Sequence, residues 1–514
     1  MVVLSASLPS AGEARLKHRD NPRLAGGDKE HLLLRADDPW YQTRAQEFSK
    51  WQICVDMFLC PSQYTDVATL LQLPKYSGGQ LFYYPGFLAQ RDGERLHADL
   101  SRVLTRPTAF EAVMRVRATR GLRITNFYGN YTIRGTDLLA LPNCTPDRRV
   151  LCVVFAVEFG YDEQLLTASV ISIQAALLYT TSMGERRIRV HNVALPVQAL
   201  LTRVFESVQI DALCNLLAKQ ALEVALKGGL DAARMRVQQA CVDIVRASRG
   251  GGGMGGMAGG GYGGYGGMQQ QQQQQQQAVQ LLPLYAMALQ KNVALRGGTE
   301  IRPDERAAAI LALANMSVDH SRCFIYPRMF SLHDMPDGAG EALGALPADA
   351  PPDAAADAVP TAGRDRVQLP NVVNLTAERL SSDGVFLLED AASLYVWVGR
   401  SADQALLASL FHVKSLEGLD TSTVALQRTG GGGTQENGGG ADPTCRRVNA
   451  IVAALREERN TFLPLVVMGE GDGQNEYRFF WHLVEDRSTF PGGSMNYAEY
   501  MQHITRSGYN NPLG

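Results

Sequence analysis

At 514 residues, with 45% hydrophobic and 20% charged side chains, the chain is long enough for several domains and has the composition of folded globular protein rather than of a disordered one. Forty-nine basic residues against 52 acidic ones leave a formal net charge of −3, which excludes a global field that would hold the chain on nucleic acid or an anionic bilayer. The cysteines (Cys54, Cys60, Cys144, Cys152, Cys214, Cys241, Cys323, Cys445) include no Cys-x-x-Cys pair and read as buried free thiols of a reducing compartment. Sequons at Asn130, Asn143, Asn315 and Asn374 come with no signal peptide, and no apolar run approaches the ~20 residues of a membrane span. A cytosolic, multidomain protein is expected.

The opening "MVVLSASLPS" predicts a strand with no polar lead-in, as though the chain began inside an α/β domain. Tyr41, Ala45, Phe48 and Ser49 fit one helical face, and "QICVDMFL" (Gln52 to Leu59) reads as a nearly continuous apolar strand. A helix over Thr65 to Pro74, ended by the proline, and a strand in "GGQLFYYPGF" continue the alternation of a parallel or mixed sheet covered by helices. From about Leu96 the pattern becomes strand-rich. "TASVISIQAALLYTT" and "RRIRVHNVAL" are two long strands joined by Ser-Met-Gly-Glu, where glycine permits positive φ. Helical spacing follows from Leu200, interrupted by "RGGGGMGGMAGGGYGGYGGMQQQQQQQQQ", a stretch that cannot bury a core. After an Ala/Pro/Asp linker, strands at Val385 to Leu388 and Leu394 to Val398, the helix "SADQALLASLF", a Gly-rich insert (Gly430 to Gly440), a helix over Arg447 to Arg459 and strands "LPLVVM" and "EYRFFWHLV" form a small α/β unit. A last helix, capped by Ser494, carries Tyr497, Tyr500, Met501 and Ile504 on one face.

No phosphate-binding loop, His-Glu-x-x-His or Gly-x-Ser-x-Gly pattern appears, so no motif points to catalysis. The aromatic group Phe82, Tyr83, Tyr84 and Phe87, and Trp397 and Trp481 in strand patterns, read as core. Arg115, Arg117, Arg120 and Arg123 read as an ordinary exposed face. The remaining candidate is the arginine-rich strand. Side chains alternate along a strand, so Arg187 and Arg189 share one face while Arg186 and Ile188 share the other. Two guanidinium groups about 7 Å apart suit an acidic peptide. The competing reading is a solvated surface pair with Glu185 or a neighbouring acid, worth ~0–1 kcal/mol.

The segments "VDMFLCPSQYTDVATLLQLPKYSGGQLFYYPGF", "FEAVMRVRATRGLRITNFYGNY" and "AALLYTTSMGERRIRVHNVALPV", in this order, closely resemble the cargo-adaptor subunit of the COPII vesicle coat. "VFLLEDAASLYVWVGR" is similar to that family's gelsolin-like domain. The resemblance implies a multidomain α+β protein. Its expected parts are a partial α/β (von Willebrand A-like) trunk over 1–90, a β-sandwich over 91–196, a helical domain over 197–335 with the low-complexity insert at 249–280, a linker over 336–361, and a gelsolin-like α/β domain with the C-terminal helix over 362–514. It further implies a non-enzymatic adaptor for export from the endoplasmic reticulum to the Golgi. Such an adaptor pairs with the coat's GTPase-activating subunit, works under a small GTPase, lies peripherally on the endoplasmic reticulum membrane at exit sites and on vesicles, and reads the cytosolic tails of membrane cargo. No nucleic acid is expected. Arg187 and Arg189 match the family's Arg-x-Arg strand near the site that receives acidic export signals. The family's zinc-binding Cys-x-x-Cys pairs are missing, so neither zinc nor another cofactor is assigned. The GTPase-activating paralogue shares the architecture and is the alternative; an actin-binding gelsolin-like protein, suggested by the last domain alone, is a third reading.

Overall fold

A computed structural model describes residues 1–27, 29–135, 137–144, 155–162, 164–250, 279–343, 358–359, 366–427, 442–459, 461–490 and 493–510. The chain forms two compact units, one of Met1–Asp92, Ser101–Arg322 and Arg487–Gly514, the other of Gly93–Leu100 and Cys323–Asp486.

The first unit begins with a parallel sheet in the order β1 (Val2–Ser5), β2 (Asp56–Leu59), β3 (Leu81–Tyr83). Every residue of β2 is buried, as a central parallel strand covered on both faces requires. Phe58 and Phe82 stack at 4.5 Å across the β2–β3 pair. The strand expected from Gln52 is shorter because Gln52 adopts φ +58, outside the extended region. The helix Trp40–Lys50 turns Tyr41, Ala45 and Ser49 inward. Pro74 does not end its helix: it lies in the first turn of Gln72–Ser77, where its missing N–H has no intrahelical partner to lose. Residues 91–105, expected within the β domain, belong instead to the helix Ala89–Thr105.

The sandwich follows, with β4 (Ala109–Ala118), β5 (Leu122–Gly129), β6 (Thr132–Ile133), β7 (Leu138–Cys144), β8 (Phe155–Tyr161), β9 (Val170–Thr180) and β10 (Arg186–Pro196). One sheet runs β10-β9-β4-β7-β6 and the other pairs β5 with β8. Ala112, Met114, Val116, Leu139, Leu141 and Tyr131 are the centre of its core.

The helices Ile210–Gly228 and Leu230–Gly250 pack as a hairpin whose corner is Gly229 at φ +96, a conformation that only glycine adopts without strain. Residues 251–278 of the low-complexity insert and the Gly430 to Gly440 insert lie outside the described residues. The helices Leu282–Lys291 and Pro303–Asn315 complete the layer. The C-terminal helix Tyr497–Asn510, grouped by sequence with 362–514, packs here instead. Its buried Tyr500 and Ile504 need an apolar surface, and Gln290 donates to the Tyr500 hydroxyl at 2.8 Å. Its cap is Asn496 rather than Ser494: Asn496 Oδ1 accepts from Glu499 N at 2.9 Å, and Glu499 Oε2 accepts from Asn496 N at 3.0 Å.

In the second unit, β11 (Arg328–Ser331) already belongs to the gelsolin-like sheet, so that unit starts before residue 335. Inside the expected linker, β12 (Ala342–Leu343) and β13 (Ala358–Val359) flank β14 (Arg366–Gln368); residues 344–357 and 360–365 lie outside the described residues. With β15 (Val372–Val373), β16 (Val385–Glu389), β17 (Leu394–Val398) and β18 (Leu465–Gly469), the main sheet runs β15-β11-β16-β17-β18 and only the β17–β18 pair is parallel. The helices Gln404–Phe411 and Pro443–Glu457 bury their apolar faces on it. "EYRFFWHLV" is not a strand: Gly473–Phe480 is a helix with Trp481 at its end, and its Phe479 is fully buried. Glu389 is fully buried. Burial pushes its carboxyl up, but the Arg328 and Arg459 guanidiniums hold it below the usual carboxylate range.

Candidate peptide-binding surface

The hairpin of β9 and β10 carries the candidate residues. β-branched and aliphatic side chains over eleven residues of each strand favour extended backbone, and the connecting turn closes with Thr181 N donating to Glu185 O at 2.8 Å. Gly184 takes φ +83 there, as the sequence requires. The register sets Arg187 opposite Tyr179 and Arg189 opposite Leu177. Tyr179 and Leu177 pack against the sandwich core, so by pleat alternation both arginines stand on the core-side face of the sheet. Arg186 and Ile188 stand on the other face, opposite Thr180 and Leu178.

β10 is the edge of its sheet, and all eleven residues are exposed. Burial falls from β4, where Ala112 and Val116 are inaccessible or nearly so, through the half-buried inner positions of β9, to β10. Both faces of β10 are thus exposed, because the strand lies beyond the core cluster.

The three arginines are not equivalent. Arg186 donates to Glu111 Oε2 at 3.1 Å and to Thr180 Oγ1 at 2.7 Å. Glu111 reaches it from a bulge in β4, where the register shifts and its φ is +52. Nothing in the sequence signalled this partner, 75 residues away. Arg187 pairs with Glu185, and that hydrogen bond raises its pKa, but both side chains are more than half exposed. Arg189 makes no ion pair among the described residues. Arg115, by contrast, is paired with Asp137 at 3.1 Å. The strand therefore offers one uncommitted guanidinium and one held by an exposed acid that another carboxylate can displace. Phe82 and Tyr84 are core, as is Trp397. Seven cysteines are free among the described residues; Cys152 lies outside them. No cluster of three or more His, Cys, Asp or Glu side chains is arranged for a metal among the described residues, and none of their helices is long and apolar enough to cross a membrane.

Residues 1–104 match the Sec23/Sec24 trunk domain, 109–198 the Sec23/Sec24 beta-sandwich domain, 209–323 the Sec23/Sec24 helical domain and 366–435 a gelsolin repeat. The chain is 34% identical over 518 aligned residues to the protein transport protein SEC24 of Podospora anserina, covering 98% of this chain and 49% of that relative. It is 35% identical to the protein transport protein SEC24 of Chaetomium globosum, with the same coverage of 98% and 49%. The crystal structure of the human COPII-coat protein Sec24c superposes with a TM-score of 0.80 at 29% identity, covering 99% of this chain and 60% of that one. The chain spans about half the length of the two fungal relatives. With trunk, sandwich, helical and gelsolin-like parts in that order, it belongs to the Sec23/Sec24 family and is Sec24-like.

Proposed function

We propose that the chain acts as a cargo-recognising adaptor of the COPII coat, not an enzyme, and that Arg187 and Arg189 read acidic sorting signals on cytosolic tails. One observation carries the reading: two guanidiniums share a face of a fully exposed edge strand, one without an ion pair among the described residues and the other ion-paired to an exposed carboxylate. Carboxylates presented at strand spacing would form charge-assisted bonds to both. In this role the chain pairs with the GTPase-activating coat subunit, acts under the small GTPase, and lies peripherally on the endoplasmic reticulum at exit sites and on vesicles. It needs no zinc or other cofactor of its own and binds no nucleic acid.

Titration of a peptide carrying two alternate acidic residues tests this, with wild type compared against the Arg187→Ala/Arg189→Ala double variant across a salt series. The double variant is expected to bind about tenfold more weakly at low salt, with the difference shrinking as salt rises. Its thermal stability should stay within about 0.5 kcal/mol of wild type, because both side chains are exposed. Equal affinity of the two proteins at low salt would remove Arg187 and Arg189 from the reading site.

A further inference from the structure

Within the first unit a cleft of about 380 Å³ opens between the helix Gln72–Ser77, the stretch Phe127 to Ile133 and the helix Ile210–Gly228. Leu71, Tyr131, Leu222 and Leu311 give it aliphatic and aromatic walls. Two ammonium groups also line it. Lys219 is 2% exposed, and its Nζ donates to the carbonyls of Ala314 at 2.8 Å and Met316 at 3.3 Å, which leaves one N–H without a partner among the described residues. The Lys75 ammonium makes no ion pair or hydrogen bond among the described residues; the Tyr76 ring lies 5.5 Å from it, and the charge of Glu223 acts on it.

Glu223 is the one carboxylate among the lining residues, and it is half exposed and paired with Lys227 at 3.5 Å. Two lysines against one already engaged acid leave the cleft with an excess of positive charge. Burial lowers the pKa of both amines, that of Lys219 to about 8, so their charge is held at a cost. Asn130, 6% exposed, also lines the cleft; its Nδ2 donates to Gly79 O at 3.4 Å, while its Oδ1 has no hydrogen-bond partner among the described residues. Apolar walls of this size, two cationic donors and one buried acceptor together specify a ligand: an apolar body, a single negative charge, and a hydrogen-bond donor close to that charge.

We propose that this cleft binds a small amphipathic monocarboxylate of the N-acyl amino acid type, its carboxylate met by Lys75 and the free N–H of Lys219 and its amide N–H donated to Asn130 Oδ1. The inference does not depend on the arginines of β10, none of which lines the cleft.

Calorimetric titration of the full chain with three probes tests it: N-acetyl-leucine, 4-methylpentanoate, which has the same branched body without the amide, and N-acetyl-leucinamide, which lacks the charge. Both acids are expected to bind, N-acetyl-leucine more tightly, and the neutral amide at least tenfold more weakly than N-acetyl-leucine. Lys75→Met should weaken both acids at least tenfold while leaving the melting temperature unchanged or higher, since it removes a desolvated charge. In the wild-type protein, acid binding should also weaken as pH rises through about 8, where Lys219 loses its proton, a readout that needs no variant. Arg187→Ala/Arg189→Ala should bind the acids as wild type does, which keeps this result separate from the sorting-signal test. Equal affinity for acid and amide, unchanged acid binding in a folded Lys75→Met protein, or no binding of any probe up to about 10 mM would overturn the proposal.

Discussion

Arg306 is fully buried, and its partner Glu30 is 1% exposed; Arg306 Nε donates to Glu30 Oε1 at 2.6 Å. Burial lowers the arginine's pKa, and the carboxylate and the carbonyls of Val293 and Arg296 offset part of that cost. Removing one partner leaves the other charge unpaired in the interior. Glu30→Gln is therefore expected to lose about 3–5 kcal/mol in urea unfolding, whereas Glu185→Gln, at an exposed pair, should change stability by under 1 kcal/mol. Asp304 supplies a pH signature. Its carboxylate accepts from Thr65 N at 2.7 Å and Val67 N at 2.8 Å, yet burial pushes its pKa up to about 6, against an ordinary 3.8. A pKa raised on folding means that its stabilising contribution is complete below about pH 4 and is lost as pH rises through about 6. Asp304→Asn cannot titrate. Its stability relative to wild type should accordingly rise by about 2 kcal/mol between pH 4 and pH 7, read from urea midpoints at each pH. None of these buried charges was legible in the sequence, where Glu30, Arg306 and Asp304 look like any solvated residue.

Among the elements, those with long and regular hydrophobic periods were legible and the short ones were not. The β9–β10 hairpin, the strands Val385–Glu389 and Leu394–Val398 and the long helices follow from their patterns, because many residues vote for one period. "EYRFFWHLV" failed because in nine apolar-rich residues the periods of 2 and 3.6 are hard to tell apart, and packing of Phe479 decided for the helix. Close approach is a second element-scale property that sequence does not show. A Cβ on Gly79 would stand 1.9 Å from Val55 O, next to the start of β2, whereas one on Gly86 would meet nothing within 4 Å and faces only the cost of φ +57. Gly79→Ala should thus lower stability by about 3 kcal/mol or more and Gly86→Ala by about 1 kcal/mol, measured side by side in thermal melts.

At the scale of the whole molecule, the C-terminal helix returns to the helical layer of the first unit after the gelsolin-like unit has been completed. Lys291 Nζ donates to Met495 O at 2.8 Å, and Gln238 Nε2 lies 2.7 Å from His503 Nε2. Truncation before Arg487 is expected to expose the apolar face of Leu230–Gly250 and to take the Met495 carbonyl from Lys291 and the Tyr500 hydroxyl from Gln290. The expected result is a lower melting temperature and increased binding of a hydrophobic dye, while equal melting of truncated and full chains would count against this packing. The order of domains, the family and the alternation that places Arg187 and Arg189 on one face were all determined by the sequence itself, because they depend on local periods and on long stretches of matching residues. Tertiary structure alone decided that β10 is a doubly exposed edge, that Glu111 takes Arg186 and leaves Arg189 unpaired among the described residues, and that Lys75 and Lys219 share a cleft. Each of these depends on residues brought together from distant parts of the chain, and no local period encodes such a meeting.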